Sequence, residues 1–241
     1  MKTPFAINPN IDRAALALQF RTAGRVEIRD FISPADASAL RAHLLARDDW
    51  TLVLRAASGV YELPRNRFSE LTDAQKAELD TLVIQAAREG FQYRYESIRV
   101  PDEAHLRTRS SALLDGFVKF MNSSPVLECI GEIMGVAAPH FADGQATSYS
   151  PGHFLTRHDD DIEGKHRLAA YVMGLQPDWK PEWGGLLMFH GEDGNIDGAF
   201  TPAMGSLRLF RVPAAHSVSY VNPMAPTSRL SVTGWFRSKY P

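Results

Sequence analysis

The pattern of apolar and polar positions divides the chain near residue 140. Before it, apolar residues recur at helical spacing. Ile11, Ala14, Ala15 and Leu18 predict a short amphipathic helix over 11–20, and residues 26–32 read as a strand. Ser33 followed by Pro34 is an N-cap with proline at the first helical position, and Leu40, Leu44 and Leu45 are expected on one face of the helix that follows. Thr72 caps a longer helix through Ala74, Ala77, Leu82 and Ala86 to Arg88, with Gly90 expected to stop it. The aromatic alternation of 91–100 predicts a strand, and 110–121 and 124–134 predict two further helices.

Beyond residue 140 the period changes to two. Short β-prone runs lie at 145–149, 168–175, 185–190, 205–210, 217–221 and 229–236, separated by Gly, Pro, Asn and Asp. Many short strands at such spacing predict a mainly β fold, a sandwich or jelly roll, with the N-terminal helices packed on its outer face. There is no βαβ alternation, glycine-rich phosphate loop, internal repeat or linker. The expectation is a single domain over 1–241, with a helix-rich part over about 1–139 and a β core over about 140–237.

Composition narrows the function classes. A formal charge of −2 gives no electrostatic reason to expect nucleic acid or an anionic membrane as partner. The N-terminal stretch lacks the apolar region of a signal peptide, and no run is apolar enough to span a bilayer. Cys129, the one cysteine, lies in an apolar stretch and is expected to be a buried thiol in a reducing cytoplasm.

The candidate chemistry begins at Thr156-Arg157-His158-Asp159-Asp160-Asp161. His-x-Asp at a strand end would set His158 and Asp160 on one side, because side chains repeat every two residues. Taken alone, the same segment also reads as a solvated acidic loop, with Asp159, Asp161 and Glu163 beside it. A third ligand is available in His216, which opens a β-prone run. Two histidines and one carboxylate leave three coordination positions open, the arrangement that suits non-haem iron(II). In 229–236, Arg229, Ser231, Thr233 and Trp235 face one way while Leu230, Val232 and Phe236 face the other. An arginine and two hydroxyls on an inner face call for an anion, and a guanidinium receives a carboxylate through two parallel hydrogen bonds. His43, His105, His140, His153, His166 and His190 read as surface or loop histidines without partners.

These segments together resemble the prolyl-hydroxylase branch of the 2-oxoglutarate/iron(II) dioxygenases. The resemblance is carried by 149–160, by Trp183-Gly184-Gly185 and the strand after it, by 205–210, by His216 and by 229–236. It is greatest to the ribosomal-protein prolyl hydroxylases and their bacterial relatives, although the second, degenerate β-domain of the eukaryotic enzymes has no counterpart before Pro241. The resemblance implies a double-stranded β-helix, a jelly-roll variant. It implies iron(II) held by His158, Asp160 and His216, with 2-oxoglutarate and dioxygen as cosubstrates and ascorbate as a candidate auxiliary. It further implies Arg229 on the distal carboxylate of the oxoacid, Ser231 beside it, Tyr149 pointing at it, and Thr233 and Trp235 lining the same pocket. These enzymes often carry a second oxoacid-binding tyrosine on the strand after the His-x-Asp loop. Gly174 occupies that position, leaving Tyr171 or Tyr149 to serve.

The activity so implied is hydroxylation of a prolyl residue in a protein or peptide, a ribosomal protein among the candidates, with release of succinate and CO2. The alternatives are a hydroxylase of a free amino acid or other small molecule and a non-catalytic binding or sensor domain. A carboxylate at position 160 fills the place a halide would need, and the His-x-His pattern of cupin-type metal enzymes is missing. The basic stretch 63–68 reads either as a substrate-facing loop or as a solvated connection.

Overall fold

The computed structural model describes residues 5–56, 59–107 and 112–240. Helix α1 (Arg13–Ala23) starts later than its apolar pattern because the Asp12 carboxylate accepts from the Ala15 N–H, and it ends on left-handed Gly24. Strand β1 (Arg25–Ile28) is shorter than the run 26–32: Asp30, at φ 49°, turns the chain out of the extended region. Helix α2 (Pro34–Leu45) follows the Ser33 cap. It buries Leu40 and Leu44, one turn apart, and exposes Leu45, which lies a further 100° round the axis.

A hairpin that the sequence pattern did not reveal comes next, β2 (Thr51–Ala56) and β3 (Gly59–Pro64). The stretch 63–68 is therefore no loop. It is the end of β3 and the short helix α3 (Arg65–Ser69), with Arg65 donating from two nitrogens, each at 2.7 Å, to the Glu96 carboxylate. Helix α4 (Asp73–Glu89) opens with a capping box between Thr72 and Gln75. Its inward stripe is Leu79, Val83 and Ala87, at spacing four, packed on Leu52 and Leu54 of β2. Leu82 is exposed, and Gly90 is extended rather than left-handed. Strand β4 (Tyr93–Arg99), helix α5 (Ala104–Arg107), α6 (Leu113–Met121) and α7 (Ser124–Met134) follow. Positions 110 and 111 of the expected 110–121 helix lie outside the described residues.

Apart from a 3-10 turn at Pro181–Trp183, the remaining elements are strands: β5 (Phe141–Ala142), β6 (Gln145–Tyr149), β7 (Phe154–His158), β8 (Arg167–Gly174), β9 (Leu187–His190), β10 (Ile196–Phe200), β11 (Leu207–Arg211), β12 (His216–Val218) and β13 (Arg229–Arg237). Ten of the thirteen strands pair antiparallel in the order β1-β11-β8-β13-β6-β4-β7-β12-β9-β10, with β2 and β3 joined at β4 and β5 at β13, and the sheet forms a jelly roll.

Alternation along β8, β11 and β13 gives the sheet two unlike faces. Tyr171, Met173, Leu207, Leu209, Leu230, Val232 and Phe236 point outward into one large core with Phe20, Leu40, Leu44, Phe117 and Ile130 of the helices. Each fully buried side chain of this kind contributes about 1.5–3 kcal/mol. Cys129 is buried in the same core. The opposite face carries Arg208, Arg229, Ser231, Thr233 and Trp235 and turns toward β7, β9 and β12. The helices thus back the sheet and leave its polar face to the interior of the roll.

Candidate metal centre

Strands β7 and β12 pair with His158 directly opposite His216, and the two imidazole centroids lie 4.0 Å apart. Asp160 arrives differently from the period-two expectation. Strand β7 stops at His158, and Asp160 itself is left-handed at φ 66°. The turn, not the pleat, brings its carboxylate between the histidines, 3.5 Å from His158 Nε2 and 3.4 Å from His216 Nε2. A left-handed non-glycine residue costs on the order of 1–2 kcal/mol, so neighbouring groups must hold it. Arg167 of β8 does so: its Nη1 donates to the Asp160 carbonyl at 2.8 Å, and its guanidinium lies 3.6 Å over the Trp235 ring.

Both imidazoles are oriented from behind. His158 Nδ1 donates to the Thr156 carbonyl at 3.0 Å and His216 Nδ1 to the Ala214 carbonyl at 2.8 Å. A carbonyl can only accept, so in the neutral ring the lone pair is on Nε2, which turns inward. One ligating atom from each of His158, Asp160 and His216 falls within a 4.8 Å cluster, the one group of three such donors among the described residues. Two neutral nitrogens and one carboxylate in a cluster that opens onto a cavity fit a divalent iron and leave positions free for further ligands.

Electrostatics keeps His216 and Asp160 in ligand form. Burial, then the neighbouring His158, pushes His216 down to about 4, so it is neutral at physiological pH. Burial works to raise Asp160, but His158 and His216 outweigh it and its carboxyl sits below its usual range. His153, expected at the surface, is buried, and burial together with Arg94 pushes it down to about 4 as well. Both histidines have folded pKa values below the unfolded one, so the unfolded chain binds more protons between pH 4 and 6.5. The metal-free protein is therefore expected to hold its full stability above pH 6.5 and to lose it as pH falls toward 4. Each histidine accounts for roughly 3 kcal/mol of that loss. Denaturant melts at pH 7 and 4.5 measure it, and His153→Gln should flatten the profile.

The other end of the cavity is built by β13 and β6. Arg229 stands opposite Tyr149, with its guanidinium carbon 5.2 Å from the tyrosine ring centre. It is 4% exposed, and burial pulls its pKa below the ordinary arginine value to about 10, so it remains a cation at neutral pH. Among the described residues no carboxylate oxygen lies within 4 Å of it, and its Nε has no hydrogen-bond partner. A buried cation without a counter-charge favours an anionic partner. Thr233 and Trp235 line the cavity of about 410 Å³ between Arg229 and the triad. Ser231 is spent on Thr147, with the two hydroxyls 2.8 Å apart, and it is Thr147 that borders the cavity.

At Gly174 no tyrosine fits. A Cβ there would collide with the Ala203 carbonyl and with the guanidinium of Arg208, which is itself held by Glu27 at 2.8 Å. The hydroxyl of Tyr171 donates to the Asp143 carbonyl at 2.8 Å, and its ring packs on Phe236. Tyr149 is thus the tyrosine beside Arg229, stacked at 5.3 Å on Tyr95. Tyr95 and Arg167 are cavity residues that sequence reasoning missed. The only signal for Tyr95 was the aromatic alternation of β4, which points to a strand rather than to a site. His190 also departs from expectation, since its Nε2 lies 2.8 Å from the Ser217 hydroxyl.

Residues 144–237, the span that holds the triad and Arg229, match the family model of the 2OG-Fe(II) oxygenase superfamily. Prolyl 3-hydroxylase OGFOD1 of Xenopus laevis is 28% identical to this chain over 177 residues, covering 70% of this chain and 32% of that protein. The chain thus spans at most about a third of the length of the curated relatives it matches. Its fold is similar to that of a Pseudomonas putida prolyl-4-hydroxylase, with a TM-score of 0.60, 21% identity and coverage of 94% of this chain and 99% of that one. It is also similar to the Trichoplax adhaerens prolyl hydroxylase solved with a hypoxia inducible factor peptide, with a TM-score of 0.62, 15% identity and coverage of 94% and 89%. The candidate triad, on β7, β12 and the turn after β7, and Arg229, on β13, thus sit on a fold similar to that of these proteins.

Proposed function

We propose that this chain is a 2-oxoglutarate- and iron(II)-dependent dioxygenase that hydroxylates a prolyl residue of a protein or peptide, a ribosomal protein being the first candidate. The observation that carries the reading is the pairing, in one cavity, of a three-donor cluster with the buried Arg229 that lacks a counter-charge. His158, Asp160 and His216 would hold the metal, and Arg229, with Tyr149 beside it, would receive the distal carboxylate of the oxoacid. Iron(II), with 2-oxoglutarate and dioxygen, supplies the oxidation in which one oxygen atom enters a substrate C–H bond and the other enters succinate, with release of CO2. The protein's part is orientation and exclusion of water. Val172, Leu187, Phe210 and Val218 give the cavity apolar walls, and Arg167 fixes the loop of Asp160. The relatives support the substrate class: OGFOD1 is a prolyl 3-hydroxylase, and the Trichoplax enzyme was solved with a peptide. No helix of the described residues is long and apolar enough to cross a membrane, and with one buried cysteine the compartment we propose is the cytoplasm.

The test is a lysate incubated with the protein, iron(II) and 2-oxoglutarate, followed by mass spectrometry. A gain of one oxygen on a proline of a ribosomal protein supports the reading. Gain confined to a small metabolite, or no succinate at all, overturns it.

A further inference from the structure

The aromatic side chains of β4 and the residue pair before it form a continuous row along one wall of the cavity. Phe91 and Tyr93 have ring centres 5.5 Å apart, Tyr93 and Tyr95 5.8 Å, and Tyr95 and Tyr149 5.3 Å. All four border the cavity, and residues 91, 93 and 95 share a face because side chains repeat every two residues along an extended segment. The row begins at the mouth, where Phe91 is 41% exposed, and ends at Tyr149 against the Arg229 guanidinium. His158 lies beside its outer end, with its ring centre 5.5 Å from that of Phe91. The row thus has an outer end, Phe91 and Tyr93, beside His158 and an inner end beside Arg229. The inner pair, Tyr95 and Tyr149, is stacked nearly parallel and belongs to the Arg229 end. The outer pair does not join any of the buried hydrophobic clusters.

Phe91 is exposed and Tyr93 half-buried, so the outer pair offers aromatic surface to the cavity beside the candidate triad. Their π-faces attract polarised C–H groups and bury flat rings without asking for a hydrogen bond. Arg55, from the β2–β3 hairpin, lies 5.7 Å over the Phe91 ring and helps keep that ring in place at the mouth.

The geometry points to a division of labour along this row: Phe91 and Tyr93 are the platform that receives the saturated ring of the target residue, while Tyr95 and Tyr149 serve the oxoacid. The inference rests on the prolyl reading above and adds the residues that determine specificity for the ring. A ring lying on Phe91 and Tyr93 sits alongside His158, on the open side of the triad. A ring on Tyr95 would fill the space before Arg229 that the oxoacid needs.

The experiment uses the whole chain loaded with iron(II) and a panel of synthetic peptides with one central proline. Peptides that yield proline-dependent succinate give KM, and 2-oxoglutarate affinity is titrated separately without oxygen. Phe91→Leu with Tyr93→Leu keeps apolar volume but removes both π-faces. It is expected to raise the peptide KM about tenfold and to leave oxoacid affinity within twofold. Phe91→Tyr and Tyr93→Phe keep the faces and should restore KM. Tyr95→Leu should reverse the pattern, weakening 2-oxoglutarate more than peptide. An unmoved peptide KM in the double leucine variant, or both constants moving together in every variant, overturns the division. If the unaltered protein makes no succinate with any proline peptide, the prolyl reading itself falls, and the platform as a receiver of proline falls with it.

Discussion

Asp160→Ala is expected to abolish iron retention and to cut succinate formation by more than about a hundredfold, the loss that even an outer partner of a metal ligand can produce. The reason is charge. His158 and His216 turn neutral lone pairs inward, so Asp160 is the anionic member of the cluster. Without it two imidazoles remain, too few to hold a labile divalent ion in competition with water. The position also separates chemistry from backbone strain. Asp160→Gly should lose iron equally, because the carboxylate is gone. Yet it should be more stable than the alanine variant by about 1 kcal/mol, since glycine takes a positive φ without penalty. Metal content after gel filtration and denaturant melts of both variants measure the two effects. Parent-like iron content in either variant would remove Asp160 from the ligand set.

Arg229→Met is expected to weaken 2-oxoglutarate on the order of a hundredfold and, at the same time, to stabilise the ligand-free protein. Both effects follow from one observation. The guanidinium is buried, and burial pulls its pKa below the ordinary arginine value to about 10, which is a cost to the folded state at every pH below 10. That shift corresponds to roughly 3 kcal/mol. A methionine fills similar volume without the charge, so the free protein should melt higher. The same substitution removes the two parallel hydrogen bonds that a carboxylate would make. Arg229→Lys should fall between, because a point charge replaces a fork. Titration of 2-oxoglutarate under anaerobic conditions and melts without ligand give the two numbers. An oxoacid affinity within threefold of the parent would refute the anchor, whatever the melt shows.

The long-range logic of the site was partly legible in linear order. His158, Asp160, His216 and the alternation from Arg229 to Trp235 all stand out by residue type and spacing, because β-strands impose a period of two that survives without a partner. The cap at Ser33, the capping box at Thr72 and helix 124–134 are also local, set by hydrogen bonds between residues a few positions apart. So is the inward stripe of β13, and with it the division between a helix-backed face and a polar one.

Other features depend on residues far apart in the chain. Asp160 reaches the histidines through a left-handed turn that Arg167 and Trp235 support, and no periodicity announces a positive φ at an aspartate. Which stripe of α4 faces inward was decided by Leu52 and Leu54 on β2, a strand that the pattern did not reveal. The tyrosine expected at 174 is excluded by Ala203 and by Arg208, which Glu27 of β1 holds in place, and Tyr95 enters the cavity only because β4 pairs with β6. Spacing along the chain records which way a side chain points from its own backbone. Which wall it then belongs to is set by sheet pairing and by the space that distant neighbours leave, and those are properties of the packed molecule.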